Sequence, residues 1–271
     1  MKYIDVSEWQ GEIDWAAAKG HIDGAILRAG FGMGHADRQF ARSAAECNRL
    51  GIPIGAYWFS YARTPEMAKR EAEHLLEAVK PYKMELPLCF DFEYDSVASA
   101  VSGGVTVTRE LATRMVYAFC ETVEQGGYWA LCYANPDFLG RYFDESVPRR
   151  FGLWLAQWPG GTPDLTAPPR PDARIWQWSS GGAVPGIAGS VDLDESYTDF
   201  AGVLRSRGMN ALGEAGGPDG PDSPLAPALA WAIEAGILPP GADGADVPTL
   251  AAVAEMLCRC REHNCHKEET L

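Results

Sequence analysis

The chain has 271 residues, of which 46% are hydrophobic and 22% charged, and its formal net charge is -14. These values are ordinary for a globular protein, and the length suffices for one large domain plus a small appendage. The excess of acidic residues argues against nucleic acid as a partner. No apolar stretch approaches the roughly 20 residues of a transmembrane helix, so we expect no membrane insertion.

Strand-like and helical segments alternate along the first part of the chain. Apolar runs with little polar alternation predict buried strands at residues 3–7, 24–30, 52–59, 84–93 and 128–133. Helical periodicity, with Thr64 and Pro65 as a start signal, predicts helices at residues 13–19, 37–50, 65–79 and 108–124. This alternation indicates parallel strands that are covered by helices.

Beyond Arg150 the pattern changes. Strand-like segments at residues 153–158, 173–178 and 187–193 follow one another without helices between them. About five β/α units with a strand-rich closure predict an α/β fold, an irregular TIM-like (β/α) barrel, and the length to about residue 205 is below the roughly 250 residues typical of a complete one.

The remaining chain divides by composition. Residues 208–224 are rich in glycine and proline and predict a linker. We therefore predict a barrel domain at residues 1–207, this linker, and a small helical C-terminal module at residues 225–271.

One strand end concentrates acidic side chains. The apolar run is followed by Asp91 and Glu93 at alternate positions. Because side chains alternate faces along a strand, the two carboxylates point the same way. Repulsion and partial desolvation raise the pKa of one of them and produce an acid that is protonated near neutral pH. Taken alone, a D-x-E sequence is also typical of a strand end with solvated acids.

Acids, amides and aromatic residues recur at the corresponding ends of other strands, where the active site of a parallel α/β barrel forms. They are Asp5, Tyr57, Trp58, Tyr133, Asn135, Gln157, Trp158, Gln177, Trp178 and Asp192. Aromatic faces lie against sugar rings, amides bind hydroxyl groups and carboxylates supply acid chemistry, so this set predicts a carbohydrate site. Structural roles for the two acids, and core packing for the aromatic residues, are the alternatives.

Arg28 lies on the second predicted strand. We expect it to pair with one of the site acids and to belong to the substrate-binding set. A purely structural ion pair is the alternative.

The segment Asp5-Val6-Ser7-Glu8-Trp9-Gln10-Gly11, followed by Ile13-Asp14-Trp15, resembles the N-terminal signature of glycoside hydrolase family 25. This family comprises the muramidases, or Chalaropsis-type lysozymes, of bacteria, phages and fungi. The resemblance continues in order over roughly residues 3–200, through segments 25–32, 51–60, 90–93, 155–158, 176–178 and 191–193. It departs at Asp194, where the family more often has Asn, and Asp192 is the matched carboxylate. Trp9 and Trp15 are expected to be packing residues.

The resemblance implies a lysozyme that hydrolyses the β-1,4 bond between N-acetylmuramic acid and N-acetylglucosamine in bacterial peptidoglycan, with retention. Glu93 would be the general acid and then the base. Asp91 would orient the substrate N-acetyl group as an internal nucleophile, or attack directly; the shared direction of the two side chains favours the first role. Asp5 and Asp192 would complete the acidic floor, and no metal or organic cofactor is implied.

The N-terminus runs directly into the first predicted strand without an apolar signal region. We therefore expect a phage or prophage endolysin that is made in the cytoplasm of the bacterial host and acts on the cell wall after release. A chitinase-like hydrolase is the alternative enzyme, because such enzymes also use an acidic D-x-E strand end. A non-catalytic wall-binding protein on the same scaffold is the alternative from another class.

The C-terminal module weakly resembles one surface-layer-homology type repeat. Wall binding, self-association and docking on the barrel are all open for it. Cys258, Cys260, Cys265 and His263 lie close enough in sequence to bind zinc, but an exposed helix end with free thiols is favoured. The other cysteines, at positions 47, 89, 120 and 132, are expected in the core.

Overall fold

A computed structural model describes residues 1–210 and 212, which belong to one compact unit. The strands of this part are β1 (Lys2–Val6), β2 (Gly24–Phe31), β3 (His35–Ala36), β4 (Ile54–Phe59), β5 (Leu88–Asp91), β6 (Ala130–Ala134), β7 (Leu153–Ala156), β8 (Ala173–Gly182) and β9 (Val191–Ser196). The helices are α1 (Trp15–Ala18), α2 (Phe40–Leu50), α3 (Pro65–Val79), α4 (Tyr94–Ser102), α5 (Arg109–Gln125), α6 (Pro136–Arg141), α7 (Ser146–Phe151) and α8 (Phe200–Ser206), and a 3-10 turn spans Glu8–Gln10.

Eight strands close into a barrel in the order β1, β2, β4, β5, β6, β7, β8, β9, and β9 returns to β1. In this barrel order, neighbouring strands from β1 to β8 are parallel. Strand β9 is antiparallel to both β8 and β1. Helices follow β1, β2, β4, β5 and β6 along the chain, and none lies between β7 and β8 or between β8 and β9. The predicted irregular TIM-like barrel with a strand-rich closure is confirmed.

Local sequence signals account for the helix ends. The Thr64 hydroxyl accepts a hydrogen bond from the backbone N–H of Met67 at 3.3 Å, with Pro65 in the first turn of α3, as predicted. Thr108 caps α5 in the same way. Gly51 ends α2 with a φ of 71°, a conformation in which glycine carries no steric penalty.

The core has two layers, one inside the barrel and one between the barrel and its helices. Tyr57 belongs to the inner layer and Trp58 to the outer layer, because adjacent residues of β4 face opposite ways. A Cβ atom at Gly30 would lie 2.5 Å from the Trp58 ring, so this position requires glycine. The four cysteines predicted in the core, at positions 47, 89, 120 and 132, are buried free thiols.

The end of the barrel where the parallel strands begin is closed by α8 and the residues after it. Asn210 is buried, donates to the carbonyls of Met84 and Leu86 at 3.0 and 3.1 Å, and accepts a hydrogen bond from the backbone N–H of Trp129. Packing therefore continues past residue 207. The rest of the predicted linker, the C-terminal module and the Cys258–Cys265 segment lie outside the described residues. No helix of the described part is long and apolar enough to cross a membrane.

Candidate functional site

The centre of the site is a contact between two carboxyl groups. β5 ends at Asp91, and Glu93 is the N-cap residue of α4 with extended dihedral angles of -125° and -166°. Phe92 between them is buried in the outer layer, so Asp91 and Glu93 share the other face, as predicted. The two carboxyl groups lie within hydrogen-bonding distance of each other. Asp91 Oδ1 is buried and has no hydrogen-bond donor among the described residues.

This contact needs a proton, because two ionised carboxylates only accept hydrogen bonds. Burial raises the pKa of Asp91 well above its ordinary value, and the charge of Glu93 adds to the shift. Burial also raises the pKa of Glu93, against the hydrogen bond with Asp91 that lowers it, and the charges of Asp95 and Asp192 add to the rise. The two groups therefore titrate as a pair. This pair keeps one proton at pH values above those at which carboxyl groups ordinarily ionise.

Asp5 and Asp192 meet where β1 pairs with β9. They are direct partners in the antiparallel register. Because β9 runs antiparallel to its neighbours, the start of that strand, rather than its end, places Asp192 at the site. Burial raises the pKa of Asp5 well above its ordinary value, followed by the charges of Asp194 and Asp192. Burial likewise raises the pKa of Asp192.

Gln177 of β8 connects Asp5 to two aromatic residues. Its amide nitrogen donates to Asp5 Oδ2 at 2.8 Å, and its oxygen accepts from the Tyr133 hydroxyl at 3.1 Å. The indole of Trp158 donates to the same oxygen at 3.3 Å. These two donors fix the amide so that its N–H groups face Asp5. Gln177 thus holds a site acid in place.

Tyr57 and Tyr133 stand inside the barrel among the acids. The charges of Asp5 and Asp91 contribute to the raised pKa of both hydroxyl groups, after burial itself. Both rings contact Trp154 edge-on, at centroid distances of 5.7 and 4.8 Å. The inner wall of the site is therefore rigid and aromatic.

Arg28 does not pair with any of the predicted site acids, so that expectation was wrong. Its Nε donates to Asp37 Oδ2 at 2.8 Å and its Nη2 to Glu8 Oε1 at 3.0 Å. Asp37 also accepts from the backbone N–H of Glu8, which ties the loop after β1 to β2. Arg28 is still close enough for its charge to lower the pKa of Asp91.

Four other predicted site residues make no hydrogen bond to these acids in the described part of the chain. Trp58 is 2% exposed, donates its indole N–H to the Gly32 carbonyl and stacks on His74, so its assignment to the site was wrong. Asn135 caps α6 by accepting from the Phe138 N–H at 2.9 Å. Gln157 is exposed at the end of β7, and Trp178 is half-buried beside Gln177.

The sequence interpretation missed two residues at this end of the barrel. Trp9 was expected to pack, but it is 76% exposed in the 3-10 turn that follows β1. Asp194 was set aside as a departure from the family pattern, but it is 1% exposed and contacts Asp5. Its alternation with Asp192 along β9 was the available signal. Trp15, at 1% exposure, is a packing residue as predicted.

A closed α/β barrel with paired carboxyl groups and aromatic residues at one end defines a class, that of barrel glycoside hydrolases. The profile described as "Glycosyl hydrolases family 25" matches residues 4–187. The chain belongs to this family.

Known proteins agree with this placement. The autolytic lysozyme of Clostridium acetobutylicum is 25% identical over 196 residues, which cover 72% of this chain and 55% of the relative. The modular autolysin LytC of Streptococcus pneumoniae, solved in complex with a synthetic peptidoglycan ligand, is 27% identical with a TM-score of 0.60, over 71% of this chain and 46% of that one. A lysozyme from Streptomyces coelicolor, 21% identical with a TM-score of 0.60 over 79% of this chain and 98% of its own, shares the fold. The chain thus spans about half the length of the first two.

Proposed function

We propose that the protein is a peptidoglycan hydrolase, an N-acetylmuramidase that cleaves the β-1,4 bond after N-acetylmuramic acid with retention of configuration. The observation that carries this proposal is the contact between the carboxyl groups of Asp91 and Glu93 at the end of the barrel where the parallel strands finish. Its support from relatives is the lysozyme and autolysin activity named for proteins of similar sequence. The same proposal includes the site of action: the protein acts on the cell wall after its release from the cell that makes it.

In the proposed first step Glu93 carries the proton. In the free pair the contact raises the pKa of Asp91 and lowers that of Glu93, so the first step requires the proton to move to Glu93 as the acetamido N–H of the substrate binds ionised Asp91. Glu93 donates this proton to the glycosidic oxygen as the bond from C1 to that oxygen breaks. The N-acetylglucosamine side of the chain leaves with the proton.

Asp91 does not act as the direct nucleophile in this proposal. Retaining enzymes of that type place their two carboxyl groups about 5–5.5 Å apart, on opposite sides of the scissile bond. Asp91 and Glu93 instead touch each other and share one face. We therefore assign attack on C1 to the acetamido oxygen of the substrate. Asp91, ionised, accepts the acetamido N–H and stabilises the positive charge that develops on the bicyclic oxazolinium.

The second step reverses the roles of the first. Glu93, now ionised, takes a proton from water, whose oxygen attacks C1 and opens the oxazolinium ring. Two inversions at C1 give net retention, and Glu93 regains its proton. Asp5, held by Gln177, and Asp192 form the acidic floor beneath the sugar.

Mass spectrometry of the products released from purified cell wall tests this function. The expected muropeptides carry N-acetylmuramic acid at the reducing end. Reducing-end N-acetylglucosamine would indicate the chitinase-like specificity instead, and a cleaved peptide bond would contradict glycosidase activity. Binding to the wall without any release would indicate an inactive wall-binding protein.

Trp9 offers an exposed aromatic face for a sugar ring beyond the acids. Replacing Trp9 by Ala is expected to raise KM for solubilised wall fragments roughly five- to tenfold, as for the loss of one aromatic stacking contact, with little change in kcat. Val101, 58% exposed at the end of α4, supplies the control Val101→Ala, which should leave KM unchanged. A Trp9→Ala variant with wild-type KM would show that this ring does not contact substrate.

A further inference from the structure

Asp194 lies beside Asp5 and Asp192, the two acids of the acidic floor. In the register of β1 with β9, Tyr3 is opposite Asp194 and Asp5 is opposite Asp192, so Asp5 and Asp194 are diagonal neighbours on the inner face. Asp194 Oδ1 accepts a hydrogen bond from the Trp154 indole at 2.7 Å. Oδ2 is buried and has no donor among the described residues, and the neighbouring polar group is the carboxyl group of Asp5.

A hydrogen bond across this contact requires a proton on one of the two carboxyl groups, because neither carboxylate can otherwise donate. Asp5 also accepts from Gln177 through Oδ2 and lies within hydrogen-bonding distance of Asp192, but neither contact supplies a donor to Asp194. Leaving both groups ionised would place two like charges side by side in a buried site, which destabilises the folded state.

We propose that Asp194 is a positioning residue, which shares one proton with Asp5 and thereby holds that carboxyl group in place beneath the substrate. This inference rests on the proposed function for the role of Asp5, but the shared proton itself does not. Loss of the proton at alkaline pH would leave two repelling carboxylates and displace Asp5 from its bond with Gln177.

The surroundings of Asp194 hold no compensating cation among the described residues that act on it. The groups that face it are Tyr3 and Asp5 of β1, Asp192 of β9, Gln177 of β8, Trp154 of β7 and Cys89 of β5. Burial is the largest influence and raises the pKa of Asp194 to about 7, against the hydrogen bonds that Asp194 accepts from Trp154 and from Asp5, which lower it. The proton is therefore retained into the neutral range.

The substitution Asp194→Asn tests the shared proton without substrate. Asn keeps the acceptor for the Trp154 indole and presents a permanent N–H donor to Asp5. In the wild-type protein the raised pKa favours the folded state below pH about 4 and costs stability as the pH rises toward about 7. We expect Asp194→Asn to match the wild-type Tm at pH 4 and to exceed it by at least about 5 °C at pH 8.

The control for this measurement is Glu77→Gln, which removes a carboxylate whose side chain is 76% exposed on α3. Its Tm should follow the wild type at both pH values. A Tm difference between Asp194→Asn and wild type that is the same at pH 4 and pH 8 would overturn the shared proton. Failure of wall hydrolysis altogether would not affect this comparison.

The positioning role is tested by the pH profile of wall hydrolysis by the full chain. Because the Asn donor cannot be lost, Asp194→Asn should retain a larger fraction of its maximal rate at pH 8–9 than the wild type. If Asp194 acted only as a charge near Glu93, its removal would lower the pKa of Glu93 and move the alkaline limb to lower pH. A profile that is unchanged, or shifted to lower pH, would overturn the positioning role.

Discussion

Replacing Glu93 by Gln is expected to lower the rate of wall hydrolysis by roughly 10²- to 10⁴-fold, the contribution of a positioned general acid. Gln has the same shape and keeps a donor toward Asp91, but it cannot transfer a proton to the leaving oxygen. Binding of wall fragments should change little, so the loss should be in kcat. Turbidity of a cell-wall suspension and the rate of muropeptide release measure it.

The loss of activity expected in Glu93→Gln does not come from a loss of folding stability. Burial raises the pKa of Glu93, so the ionised side chain destabilises the folded state once the pH exceeds the pKa of the unfolded chain. Glu93→Gln should therefore have a Tm at pH 8 equal to or above that of the wild type. Asp95, exposed two residues further along, supplies the control Asp95→Asn, with an expected loss of no more than a few-fold. Wild-type activity in Glu93→Gln would refute the proposed mechanism.

The pH dependence of the wild-type enzyme follows from the same contact. The pair of Asp91 and Glu93 has to hold one proton for the first step, and burial raises both pKa values. Activity should therefore persist into the neutral range and fall as rising pH removes that proton. In Glu93→Gln this alkaline limb should disappear from whatever activity remains.

The overall architecture could be predicted from the sequence because apolar runs and helix caps are local signals. The run before Asp91 and the Thr64-Pro65 start of α3 each determine their element without distant contacts. Since parallel strands end at one side of a barrel, residues that follow them had to converge. This reasoning correctly brought together Asp5, Asp91 and Glu93.

The orientation and pairing of several side chains could not be predicted from the sequence. Alternation shows that only one of Tyr57 and Trp58 can face the barrel interior, but the packing of Trp58 on His74 that decides between them is a tertiary contact. The partners of Arg28 come from a loop and a turn whose approach depends on the closed barrel. Alternation with Asp192 places Asp194 on the same face of β9, but its contact with Asp5 depends on the β1–β9 register, which no local pattern of residues specifies.

Replacing Asp91 by Asn is expected to lower kcat by roughly 10²- to 10³-fold, similar to the loss of one preorganised electrostatic contact to a transition state. The amide keeps the volume of the carboxylate but not its charge, so the oxazolinium loses its counterion. Buried Asp91 is also disfavoured when ionised, because burial raises its pKa, so the variant should be no less stable than the wild type at pH 8. Initial rates on solubilised glycan chains and Tm values measure the two effects.

The identity of the nucleophile is the sharper question about Asp91. If the substrate acetamido group attacks C1, a thiazoline analogue of the bicyclic intermediate should inhibit the wild type, and Asp91→Asn should bind it at least about tenfold more weakly, a loss of about 1.4 kcal/mol. Asp95→Asn should bind it as the wild type does. Rapidly quenched digests should then contain no glycosylated protein. A glycosyl adduct on Asp91, detected by peptide mass spectrometry, would instead make that carboxylate the nucleophile. Such an adduct would require Asp91 to separate from Glu93 when substrate binds, because a sugar ring cannot enter the contact that the two side chains make.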